Sequence, residues 1–82
     1  MGRTSRERPK RLGEKLLQIR LRLGLSQNEM LKELGLTGKV FRSAISGYEL
    51  GTREPSLITL LKYARLAKVS TDALIDDKSE IR

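Results

Sequence analysis

The chain contains no cysteine and no histidine, which removes disulfide frameworks, thiolate or imidazole metal sites, cysteine nucleophiles and every histidine-based acid–base scheme. Aromatic residues make up only 4%, too few for the base-stacking platforms of many single-strand binders. No apolar stretch reaches the ~18 residues that span a bilayer, and no apolar run of signal-peptide length follows the charged first residues. A cytosolic location without a membrane partner is expected. No segment alternates apolar and polar residues long enough to argue a strand, so the expected class is all-α. What is there is 82 residues, enough for one small module and too few for separate catalytic and binding lobes or an effector domain.

Seventeen basic side chains against ten acidic give a formal charge of +7. The isoelectric point, near 10.3, lies beyond the value of about 9 that marks nucleic-acid-binding domains. The excess is N-terminal: residues 1–25 carry eight basic and two acidic side chains. Arg3, Arg6, Arg8, Lys10 and Arg11 have too few apolar neighbours to order themselves against the entropy cost of folding. Residues 1–11 are therefore expected to form a flexible basic arm, 12–77 the folded domain and 78–82 a frayed tail. The arm has two readings, a duplex-wrapping or minor-groove contact and a solubilising tail.

Leu12, Leu16, Ile19 and Leu23 recur at helical spacing, with Glu14, Lys15, Gln18 and Arg22 facing elsewhere, and Gly24 supplies a left-handed stop. Ser26 and Glu29 form a capping box for a second helix of about nine residues through Met30, Leu31 and Leu34. A third helix spans Arg42–Leu50 with Ile45 and Tyr48 inward, closed by Gly51. Pro55 and Ser56 open a fourth, whose apolar face is Leu57, Leu60, Leu61, Ala64 and Ala67. A one-turn fifth through Ala73, Leu74 and Ile75, capped by Ser70 or Thr71, ends at Asp76 and Asp77.

The ordered anchors are Leu23-Gly24-Leu25-Ser26-Gln27, Glu29, Met30, Leu34 and Gly35, then Ile45-Ser46, Tyr48-Glu49, Gly51, Pro55-Ser56-Leu57, Leu60-Leu61, Ala64, Val69-Ser70 and Leu74. Together they resemble the lambda-repressor and Cro-like (Xre-type) helix-turn-helix family over about residues 12–75. The resemblance implies a five-helix bundle whose third helix enters the major groove, usually as a homodimer on a two-fold operator. It also implies a DNA contact by Gln27, set against a merely solvated first-turn residue. Arg42, Ser43, Ser46 and Gly47 then occupy the outward face of the third helix. The Arg42 fork suits guanine O6 and N7; a phosphate contact or a solvated helix start is the alternative. Arg20 and Glu49 match an ion pair joining helices one and three, and Thr52 and Arg53 match a loop that contacts sugar-phosphate.

Two departures from the family pattern stand out. Nine residues, 36–44, separate Gly35 from Ile45 where the family usually has five, so the turn is extended by about four. Leu36 or Val40 is expected to fill the core position there, with Phe41 packed behind. The tip, Thr37, Gly38 and Lys39, is either an added DNA contact or an ordinary insertion. Lys68 replaces the glycine common after helix four, so it either adopts a left-handed backbone or leaves the helix differently.

Asp76 and Asp77 have no third ligand in view and are expected to be a solvated helix end, and Ser43, Ser46 and Tyr48 lack an activating base. No enzyme activity, metal, cofactor or small-molecule substrate is expected. The expected function is sequence-specific binding of double-stranded DNA by a transcriptional regulator, with repression favoured. An antitoxin or restriction-control regulator is a close variant. A protein-interaction adaptor presenting Leu74, Ile75 and Ile81 to a protein partner is the alternative from another class.

Overall fold

The computed structural model describes residues 8–81; Arg3 and Arg6 lie outside the described residues. Five helices follow one another: α1 Leu12–Leu23, α2 Gln27–Glu33, α3 Arg42–Leu50, α4 Leu57–Ala67 and α5 Thr71–Ile75. No strand forms among the described residues, and none of their helices is long and apolar enough to cross a membrane.

Each helix is short and depends on packing for its stability. α1 lies against α3, α4 and α5, α2 packs on α3, and α4 on α5. The core takes Leu12, Leu16 and Ile19 from α1, Met30 and Leu31 from α2, Ala44, Ile45 and Tyr48 from α3, and Leu60, Tyr63 and Ala64 from α4, closed by Leu34, Leu74 and Ile81. α1 and α3 end on left-handed Gly24 and Gly51, as expected. α2 is seven residues rather than nine, because Leu34 is already its C-cap. Gly13 permits the close crossing of α1 and α3: a Cβ there would stand 2.7 Å from the Glu49 carbonyl oxygen, a backbone atom that cannot move aside.

Several expected placements are corrected. Leu23 and Leu57 have the right helical phase but are exposed, at 41% and 79%. They occupy the last turn of α1 and the first of α4, where the helices overhang the core; periodicity gives a face, not how far along a helix the core extends. Thr59 and Tyr63 are buried instead. Lys15, expected outside, is almost wholly buried, and its Nζ donates to the carbonyls of Ala73 and Asp76 at 2.8 Å each. It ties α1 to the end of α5. Phe41 does not pack behind the turn but is 82% exposed, while Leu36 and Val40 do pack against the core. The Tyr63 hydroxyl is buried with no hydrogen-bond partner among the described residues, and burial pushes its pKa up.

The chain ends also differ from expectation within the described residues. Asp77 accepts the backbone N–H groups of Lys10 and Arg11 at 2.9 and 3.0 Å. The Arg11 fork donates to both carboxylate oxygens of Glu80 at 2.9 Å, and its Nε donates to Glu14 at 2.7 Å. Ile81 is buried beside them in sequence. Residues 10–11 and 77–81 are thus joined, because unpaired amides at the head of α1 meet acceptors just past α5. Those two backbone hydrogen bonds hold the Asp77 carboxyl below its ordinary range. A carboxyl lowered on folding contributes fully above its unfolded value of about 3.9 and loses that contribution as pH falls through the lower folded value. Asp77→Asn is expected to flatten the acid limb of a plot of Tm against pH, below about pH 4.

Lys68 takes the first of its two alternatives: at φ 59°, ψ 41° it is the only non-glycine residue with positive φ among those described. That conformation costs an L-residue about 1–2 kcal/mol, partly offset in glycine by its freer unfolded chain. Lys68→Gly is expected to stabilise the fold by about 0.5–1 kcal/mol, read as a Tm higher by about 2–8 °C.

Candidate nucleic-acid interface

The site begins with a short helix held in a set position. Ser26 Oγ accepts the Glu29 N–H at 3.0 Å and Glu29 Oε1 accepts the Ser26 N–H at 2.8 Å, completing the capping box. Met30 and Leu31 then seat α2 against α3. In α3 the pattern splits the helix cleanly: Ala44, Ile45 and Tyr48 are buried, Arg42 and Ser43 are exposed, and Ser46 is half-buried.

What orients α3 is a polar network between helices. Arg20 donates through Nε to Glu49 Oε2 at 2.6 Å and through Nη2 to Oε1 at 3.1 Å. Its Nη1 donates to the Leu25 carbonyl at 2.9 Å. Both side chains are largely buried, at 14% and 5% exposure, and the hydrogen bonds to Glu49 raise the Arg20 pKa further. Gln27 joins through Nε2, which donates to Glu49 Oε1 at 3.2 Å. The expected ion pair is present, and Gln27, expected either to contact DNA or to be a solvated first-turn residue, braces α2 on α3.

Gly47 is corrected: it is buried rather than outward. Its carbonyl accepts the N–H groups of Thr52 and Arg53 at 3.0 and 3.1 Å, which folds the following loop back over α3. The aliphatic stem of Arg53 covers the place where a Cβ would stand, with Cγ and Cδ 2.8 Å away. The glycine therefore makes room for Arg53, which the structure brings across the end of α3.

Arg8 lies 3.7 Å from Glu54 in a partly exposed ion pair and shares an open hollow with Arg53, Leu50 and Gly51. Lys39 is exposed at the tip of the turn. It lines a second hollow with Arg42, Ser43, Phe41 and Asn28, and no acidic residue is part of that wall. The structure thus gathers Lys39, Arg42 and Ser43 at the head of α3, while Arg53 and Arg8 stand beyond its far end. Asn28 and Phe41 were not singled out as site residues from the sequence; their only signal was proximity to the capping box and to Arg42. Among the described residues no group of three or more acidic, histidine or cysteine side chains is placed to hold a metal ion.

A family model described as helix-turn-helix matches residues 16–74. The SPbeta prophage-derived uncharacterized HTH-type transcriptional regulator YonR of Bacillus subtilis is 41% identical over 63 residues, 77% of this chain and 55% of that protein. The HTH-type transcriptional regulator ImmR of the same organism is 36% identical over 64 residues, 78% and 47% of the two chains. The chain spans about half the length of the curated relatives it matches. Among solved structures, the P22 c2 repressor in complex with a synthetic operator superimposes with a TM-score of 0.69 at 29% identity, over 80% of this chain and 94% of that one. The restriction-modification controller protein C.AhdI from Aeromonas hydrophila gives 0.65 at 31% identity, over 79% and 92%.

Proposed function

We propose that this chain, which belongs to the helix-turn-helix family of the Xre, lambda-repressor-like type, is a sequence-specific binder of double-stranded DNA that regulates transcription from the cytoplasm, as a repressor. The observation that carries the proposal is the state of α3. Its inner face is locked into the core and onto Arg20, and its outer face, at Arg42, Ser43 and Ser46, is left open beside added positive charge. Such a rod fits the major groove, where base edges present a distinct donor and acceptor pattern for each pair. In this reading Arg42 meets a base edge, Ser43 and Ser46 lie over neighbouring bases, and Arg53 and Lys39 meet phosphate. Gln27 contacts the backbone while bracing Glu49, and Arg3, Arg6 and Arg8 follow the duplex. Gly47 acts only by admitting Arg53. Binding as a homodimer on a two-fold operator is part of the proposal.

The P22 c2 repressor supports repression. The likeness to a restriction-modification controller protein supports a second reading, a regulator acting beside a neighbouring gene product. The adaptor alternative loses two of its three contact residues, because Leu74 and Ile81 are buried. Selection of bound duplexes from a random pool at two salt concentrations tests the proposal. The expected result is one enriched motif with two-fold symmetry and a slope of log affinity against log salt of about −0.9 per phosphate contacted. Recovery of no enriched motif would overturn it.

A further inference from the structure

We infer that Phe41 makes apolar contact with the 5-methyl group of a thymine in the major groove, so that the extended turn adds a thymine-dependent position to the bases read by α3. The inference rests on the duplex-binding proposal above. Phe41 is the most exposed large apolar side chain among the described residues, at 82%, so its ring does no work in the core. Its backbone is nevertheless firmly held. Leu36 donates its N–H to the Leu31 carbonyl at 3.0 Å, and the Leu36 carbonyl accepts the N–H groups of Lys39 and Val40 at 2.9 and 3.2 Å. The Phe41 carbonyl accepts the Ala44 N–H at 2.9 Å as α3 begins. With Leu36 and Val40 packed on the core, the turn presents the ring from a fixed position, and ordering a side chain of two torsions costs little on contact.

The surroundings select the occupant. Phe41 lines one hollow with Asn28, Lys39, Arg42 and Ser43, and no acidic side chain contributes. Lys39, assigned to phosphate, and Arg42, assigned to a base edge, thus flank an apolar ring at the head of α3. Thymine alone among the bases of unmodified DNA presents a methyl group in the major groove, and phenylalanine is a suitable contact for it. A protein partner on the same ring would leave no thymine dependence, which the test detects.

The experiment uses the full chain and the duplex obtained by the selection above. Each thymine is replaced in turn by deoxyuracil, which removes the methyl group and leaves pairing intact. The unaltered protein is expected to lose about fourfold in affinity at one or two positions, the worth of one buried methyl group. Phe41→Ala is expected to bind the thymine duplex about that weakly and to make no distinction between thymine and uracil there, with its melting temperature unchanged because the ring is exposed. Phe41→Leu is expected to keep part of the preference. Indifference of the unaltered protein to every replacement, or full thymine preference in Phe41→Ala, would overturn the contact while leaving duplex binding intact. Failure to select any duplex would overturn both proposals.

Discussion

Arg20→Ala is expected to destabilise the fold by about 3 kcal/mol, within the range found when one partner of a buried pair is removed. The effect has two sources. Glu49, only 5% exposed, loses both guanidinium donors and retains the weaker Gln27 amide. The Leu25 carbonyl loses the third donor of the same guanidinium. For a domain of this size the melting temperature is expected to fall by more than about 10 °C. Glu49→Ala is expected to cost a similar amount, and the double variant Arg20→Met with Glu49→Leu much less than the two losses combined, since no uncompensated charge remains. Thermal melting of the two single variants and the double variant checks this. A loss below about 1 kcal/mol in both singles would show a pair already screened by solvent.

Arg42→Ala is expected to leave the melting temperature unchanged and to lower affinity for the selected duplex about 5- to 150-fold, the range for one bidentate base contact. Arg42 is exposed at the first position of α3, and its side chain has no hydrogen-bond or ion-pair partner among the described residues. The pattern of the loss is as informative as its size. A base contact predicts that the loss falls on the selected duplex alone, relaxes specificity at one position and leaves the salt slope unchanged. A phosphate contact predicts an equal loss on every duplex and a slope shallower by about 0.9. Arg53→Ala is expected to show the second pattern. Titrations against selected and scrambled duplexes at two salt concentrations separate the two.

Much of this was legible in the residues. The helix order, the capping box of Ser26 and Glu29, the glycine stops and the inward turn of Ile45 and Tyr48 all follow from local rules, where one residue constrains neighbours a few positions away. The Arg20–Glu49 pair was legible only through family resemblance, since nothing local links residues 29 apart. The outward set Arg42, Ser43 and Ser46 followed once the buried face of α3 was known. Gly47 did not, because the loop that lays Arg53 on it returns from beyond the helix.

Local periodicity and capping chemistry specified an all-helical chain and the boundaries of its helices to within a residue or two, and composition its net positive charge. Packing alone decided that Lys15 is an interior tie between α1 and α5, that Phe41 faces solvent at the head of α3, that Asp77 secures the start of α1, and that Ile81 belongs to the core. The division has a physical cause. A helix face is set by spacing along the chain, whereas the fate of an end, a long side chain or a residue in a turn depends on which distant segment reaches it first with an apolar surface or a hydrogen-bond partner.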